Sequence, residues 1–138
     1  MRRSRDMDEG RKGYILISRD LLEDEIWFKQ PLVLKVWMYL LLRAQHTNYK
    51  GLKRGELWTS YNELREACTY YRGGRPERPS KKQIETALDF LRKPHEGTTK
   101  GPSIVTTKAT RGMHVTICNY NLYQDPKTYE GHNGGHNG

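Results

Sequence analysis

The stretch Leu32 to Ala44, L-V-L-K-V-W-M-Y-L-L-L-R-A, limits what this 138-residue chain can fold into more than any other. Only Lys35 and Arg43 in it carry charge. Pro31, just ahead, suits the first turn of a helix, where its missing N–H leaves nothing unsatisfied. A helix apolar nearly all round is a buried one, so the rest of the chain must pack about it. The run is shorter than the ~20 apolar residues that span a bilayer, and its lysine also argues against a membrane segment. A chain of this length has room for one compact domain with a modest core, plus tails.

The second constraint is Ser80 to Lys93, S-K-K-Q-I-E-T-A-L-D-F-L-R-K. Pro79 precedes it, Ser80 is a natural N-cap, and Gln83 stands three residues on, which is the spacing of a capping box. Ile84, Ala87, Leu88 and Leu91 fall at i, i+3, i+4 and i+7 and share one face. The opposite face carries Lys82, Thr86, Asp89 and Lys93, flanked by Gln83 and Glu85. One side is built for burial, while the other offers short polar groups and cations at the opening turn. Most such helices are simply solvated on their polar side.

The remaining elements follow in order. Residues 1–12 are charged and mixed in sign, and read as a flexible basic arm. Gly13 to Ser18 is a short β-like run. Ser18 is expected to cap a helix from Arg19, made acidic by Glu23, Asp24 and Glu25, with Leu21, Leu22, Ile26, Trp27 and Phe28 as its apolar contributors. Gln45 to Arg54 is a polar loop closed by Gly55, and Glu56 to Thr59 reads as a single strand. Ser60 and Glu63 form a second capping box, opening a helix with Leu64, Ala67, Cys68 and Tyr71 inward. T-Y-Y-R-G-G-R-P-E-R-P then breaks any helix and reads as a basic loop carrying Arg72, Arg75 and Arg78. After Lys93, residues 94–102 read as a linker. Ser103 to Ala109 and Met113 to Tyr120 are rich in β-branched residues and are joined at Thr110-Arg111-Gly112, a hairpin signal. Residues 126–138 end in G-H-N-G-G-H-N-G and read as a flexible tail or linker stub.

The chain carries 24 Lys+Arg against 16 Asp+Glu, a formal charge of +8. That sign favours an anionic partner, nucleic acid first and a membrane surface second. The N-terminus lacks the apolar stretch of a secretion signal. Cys68 and Cys118 imply no disulfide framework and fit core thiols in a reducing cytoplasm. His132 and His136 sit in a Gly/Asn segment that fixes no ligand geometry, so with His95 and His114 they read as incidental rather than as a metal site. Adjacent acids at Glu23-Asp24-Glu25 point in different directions along a helix and make no catalytic pair. The reading is a non-enzymatic protein with no cofactor. Tyr70 and Tyr71 beside Arg72 are the aromatics best placed to stack on single-stranded bases.

The element order is helix, buried helix, strand, capped helix, basic loop, capped helix and hairpin. That is the order of a winged helix-turn-helix: an α+β, mainly helical fold over residues 13–125 with a small three-stranded antiparallel sheet. In such a domain Ser80–Lys93 is the reader helix. Lys82, Gln83 and Thr86 would reach the groove, while Ser80 and Lys81 would hold phosphate at the free amides of the helix start. Arg72, Arg75, Arg78, Lys108 and Arg111 would grip backbone on either side, with Thr110 at the wing tip. The acidic first helix would then lie on the far side or in a subunit contact. The connection between the capped helices, about ten residues, exceeds the usual three or four of a tight helix-turn-helix.

Five segments carry a family resemblance: G-Y-I-L-I-S-R-D-L, W-M-Y-L-L-L-R-A, G-E-L-W-T-S-Y-N-E-L, K-K-Q-I-E-T-A-L-D-F-L and V-T-I-C-N-Y-N-L-Y-Q-D. Together, from Gly13 to Asp125, they resemble the N-terminal winged-helix domain of phage and prophage replication-initiation proteins. They are similar, more distantly, to DnaD-like primosome proteins of low-GC Gram-positive bacteria. The resemblance implies origin or primosome DNA binding, duplex ahead of single strand, in the cytoplasm. It also implies self-association, here through the first helix, and contact with a helicase loader or another replication protein. Such proteins often carry a further C-terminal domain, so the chain reads as a small homologue or a fragment. A primosome docking module and a winged-helix transcriptional regulator remain open beside it.

Overall fold

In the computed structural model, described over residues 13–93 and 103–127, two short 3-10 turns, Arg19–Glu23 and Glu25–Phe28, lead into helix α1, Pro31–Arg43. Then come β1 (Glu56–Thr59), α2 (Tyr61–Ala67), β2 (Tyr70–Arg72), β3 (Arg75–Glu77) and α3 (Lys81–Arg92). Strands β4 (Ile104–Ala109) and β5 (Gly112–Ile117) and a short helix α4 (Tyr120–Tyr123) complete the order. The expected arm at 1–12, the linker at 94–102 and the tail beyond 127 lie outside the described residues.

Helix α1 is the centre of the core, through Val33, Val36, Trp37, Leu40 and Leu41. It is not buried all round, because Leu42 is exposed. A chain this small has too few other elements to wrap every side of a central helix. Helix α3 packs on α1 with the four residues its pattern assigns, Ile84, Ala87, Leu88 and Leu91, all buried. Leu64 and Cys68 anchor α2 beneath them.

The three-stranded sheet has the order β1-β5-β4, all antiparallel, with Trp58 opposite His114 and Lys108 opposite Met113. Leu57, Thr59, Ile104, Met113, Val115 and Ile117 point into the core, and their alternate neighbours point out. That alternation fixes the register, since a slip of one residue would turn the whole apolar set to water. The chain therefore adopts the mixed α+β winged-helix layout, with β4 and β5 as the wing.

Several local expectations need correction. The acidic segment forms two 3-10 turns instead of one helix. Ser18 accepts a hydrogen bond from the Asp20 N–H and Asp24 accepts one from the Ile26 N–H, so each cap restarts the chain after one turn. Of its five apolar residues only Ile26 is fully buried; Leu22, Trp27 and Phe28 are exposed. Gly13 to Ser18 joins no sheet. The buried Gln124 side chain takes the place of a neighbouring strand: the Leu16 N–H donates to Gln124 Oε1 at 2.7 Å, and Gln124 Nε2 donates to the Leu16 carbonyl at 3.0 Å. The final strand stops at Ile117, Cys118 is half-buried in the turn after it, and Asn119 with φ +59° starts α4. Cys68 is fully buried, which pushes its thiol pKa up. Tyr71 points outward, on an element that the Gly/Pro-rich stretch did not announce as a strand.

Candidate nucleic-acid interface

The start of α3 is held by a complete capping box. Ser80 Oγ accepts from the Gln83 N–H at 3.1 Å, and the Ser80 N–H donates to Gln83 Oε1 at 2.8 Å. The box fixes the helix axis, but it also uses two of the amides that sequence reasoning left free for phosphate. The amides of Lys81 and Lys82 remain at the helix start. At the second box only half the pattern forms. Ser60 Oγ accepts from the Glu63 N–H, whereas the Glu63 carboxylate accepts from Thr59 Oγ1 at 3.1 Å and pairs with Arg43 at 3.7 Å.

Contacts on the flanks of α3 orient its exposed ridge, Lys82, Thr86, Asp89 and Lys93. On one flank Lys81 Nζ lies 5.1 Å from the centre of the Tyr61 ring, and Arg92 Nε donates to Thr106 Oγ1 at 2.8 Å. The start of α2 and strand β4 therefore run along that side. On the other flank Lys29 Nζ lies 5.1 Å from the Phe90 ring and pairs with Glu25 at 3.5 Å. The acidic turn, expected on the far side of the molecule or in a subunit contact, thus adjoins the C-terminal half of α3. Asp89, on the ridge itself, is paired with Arg92 at 2.8 Å. Lys81 and Lys82 lie at the N-terminal end of α3, and Lys93 is exposed at its C-terminal end.

The wing tip comes to the same end. Gly112 sits so close to β1 that a Cβ on it would lie 2.5 Å from the Thr59 carbonyl oxygen, next to the Ser60 cap of α2. Since Tyr61 follows Ser60 and underlies Lys81, the wing turn, the start of α2 and the start of α3 converge. Ile104, Thr106 and Lys108 alternate onto the face of β4 that meets α3, going from buried through half-buried to exposed. Lys108 accordingly leaves the wing on the α3 side, with Thr110 and Arg111 exposed at the turn.

The basic loop between α2 and α3 is in fact a two-stranded ribbon, β2 and β3, with Arg72 directly opposite Arg75. Gly73 and Gly74 turn it with φ of +57° and +87°, the backbone that a two-residue hairpin of this hand requires. The Gly-Gly pair between Y-Y-R and R-P-E was the available signal, masked by prolines and weak apolar alternation. Its root is fixed by Arg65 Nε donating to the Pro79 carbonyl at 2.8 Å and by Arg78 pairing with Glu66 at 3.7 Å. Arg78 is thereby drawn into the protein's own charge network.

Lys82, Gln83 and Thr86, expected to reach a groove, are all exposed. Thr86 Oγ1 donates to the Lys82 carbonyl at 3.0 Å, and Gln83 keeps only its amide nitrogen free of the cap. Lys82, Arg75, Lys108 and Arg111 make no side-chain ion pair among the described residues. The Tyr70 hydroxyl, then Glu77, hold the Arg72 guanidinium above its usual pKa, so it stays charged.

A separate cleft of about 680 Å³, lined by Arg54, Tyr120, Asn121 and Asp125 among others, opens at the Ile117 end of β5, away from the wing tip. Among the described residues no cluster of His, Cys, Asp and Glu is placed to hold a metal ion, and no helix is long and apolar enough to cross a membrane. His95, His132 and His136 lie outside them. No family model matches the chain, and neither curated proteins nor solved structures yield a match.

Proposed function

We propose that the chain is a winged-helix domain that binds duplex DNA in phage or prophage replication initiation, in the cytoplasm. The observation that carries the DNA part is the convergence of Lys81 and Lys82 at the start of α3 with Lys108 and Arg111 of the wing. A helix and a wing that present, toward one end, cations with no ion pair among the described residues match the way such domains take a major groove and its flanking phosphates. In this reading Lys82, Gln83 and Thr86 meet base edges, and Lys81, Lys108, Thr110 and Arg111 meet backbone. The replication role rests on the five segments that resemble initiator domains; a transcriptional regulator with the same chemistry is the neighbouring reading.

A primosome docking or self-association module is the second reading, favoured by the exposed Tyr14, Leu22, Trp27 and Phe28 on and before the 3-10 turns. Fluorescence anisotropy with labelled duplex and single-stranded oligonucleotides at two salt concentrations separates the two. Under the DNA reading Lys82→Ala/Gln83→Ala narrows the difference between sequences, whereas Arg111→Ala weakens all sequences alike. A folded protein that binds neither duplex nor single strand at low salt would move the assignment to docking.

A further inference from the structure

We propose that the β2–β3 ribbon is a minor-groove arm: resting on the duplex-binding reading above, it carries Arg72 and Arg75 tip-first into the groove adjoining the one α3 reads. The register pairs Arg72 with Arg75 and Tyr70 with Glu77 on one face of the ribbon, leaving Tyr71 and Pro76 on the other. Like charges directly opposite each other on neighbouring strands disfavour the hairpin. A two-stranded hairpin with nothing packed on it is marginal in water to begin with. All of the ribbon but the half-buried Glu77 is exposed, so no core packing explains the placement of the two arginines. The Tyr70 hydroxyl and Glu77 on the same face act on Arg72 from the root side, and an anion beyond the tip would offset the like charge of Arg75 opposite it.

The root of the arm is firm where its tip is bare. Beside the Arg65–Pro79 and Arg78–Glu66 contacts, Lys35 Nζ donates to the Thr69 carbonyl at 3.3 Å, tying the start of β2 to α1. The chain passes from Glu77 to the Ser80 cap in a few residues, so the arm springs from beside the first turn of α3. Three residues per strand reach roughly 10 Å. The major groove is about 12 Å wide, so an arm of that reach, rooted at the end of a helix lying in it, arrives at the groove wall. Its outermost charges then face the next minor groove.

Two features favour the minor groove over a plain phosphate contact. Glu77 shares the arginine face but lies at the root, so a ribbon laid flat on the backbone would press a carboxylate against phosphates. A tip-first approach keeps it clear. The tip itself is Gly73-Gly74, with open space where any Cβ would stand, so nothing there obstructs entry into a narrow groove. Narrow A·T-type minor grooves concentrate negative potential and attract inserted arginine, and the exocyclic amino group of guanine is the chief obstacle to entry.

The test compares duplexes that differ only in the minor groove. A G·C-rich duplex and the same duplex with inosine in place of guanine present matching major-groove edges, but inosine lacks the minor-groove amino group. Wild-type protein should bind the inosine duplex about tenfold more tightly. Arg72→Ala/Arg75→Ala should lose that preference and lower the salt slope by about 2. Arg72→Lys/Arg75→Lys keeps the charge but not the weakly hydrated planar group, so it should hold the slope and lose most of the preference. All four replacements are exposed, and circular dichroism checks that the fold persists. Equal binding of the two duplexes by wild type, or a preference that survives both double variants, overturns the minor-groove arm while duplex binding stands. Wild type that binds no duplex removes the arm and the DNA reading together.

Discussion

At the scale of single residues, Gly112 shows how one missing side chain holds the wing to the body. Its φ of +151° is unfavourable for other residues, and the Thr59 carbonyl occupies the space a Cβ would need. Gly112→Ala must push β1 away from β5 and is expected to cost about 1–3 kcal/mol in urea denaturation. Glu56 acts through charge. The Lys53 N–H donates to its carboxylate at 3.0 Å and is the largest influence on it; burial opposes, and His114 at 3.2 Å adds to the lowering. A carboxyl lowered in the folded state contributes stability that is complete above its ordinary value of 4.5 and is lost as pH falls through the lower folded value. The advantage of wild type over Glu56→Gln should therefore be constant near neutrality and shrink below about pH 4.5, read from urea midpoints across an acid series.

At the scale of elements, Gln124 does the work of a missing strand. Its buried amide both donates to and accepts from the backbone of Leu16, more than a hundred residues earlier in the chain. Gln124→Ala leaves a backbone N–H and C=O unsatisfied and is expected to cost about 1–3 kcal/mol, with faster amide exchange at Leu16. Unchanged exchange there would show that the segment is held some other way. Helix α3 was legible in full, cap and buried stripe alike, because its signals are local: Ser80, Gln83 and four apolar residues at helical spacing. The ribbon was not, since Pro76 and the charges of Arg72 and Arg75 hide its alternation, and only the positive φ of Gly73 and Gly74 shows what the turn is. The acidic segment misled for a related reason: Asp24 looked like a helix residue but caps a new turn.

At the scale of the whole molecule, the net charge of +8 is unevenly spent. Arg43, Arg78 and Arg92 are tied into ion pairs and the acidic turn lies beside the C-terminal half of α3, whereas Lys81, Lys82, Lys108 and Arg111 gather toward the other end without an ion pair among the described residues. If Arg72, Arg75, Lys81, Lys108 and Arg111 each displace a condensed counterion from the DNA, log K should fall with log salt at a slope of about −4.5, or several hundredfold between 50 and 200 mM. A nearly flat salt dependence would instead separate these cations from the bound DNA. The sequence alone determined the central helix, the capped helix α3, the wing hairpin and the α+β class, because caps, turns and periodicity act over a few residues. Only the tertiary structure decided that wing, α2 and α3 meet at Gly112, Tyr61 and Lys81, that Gln124 pins Leu16, and that the acidic turn lies against Phe90. Those contacts join residues far apart in the chain, and no local preference encodes which distant neighbour a side chain will meet.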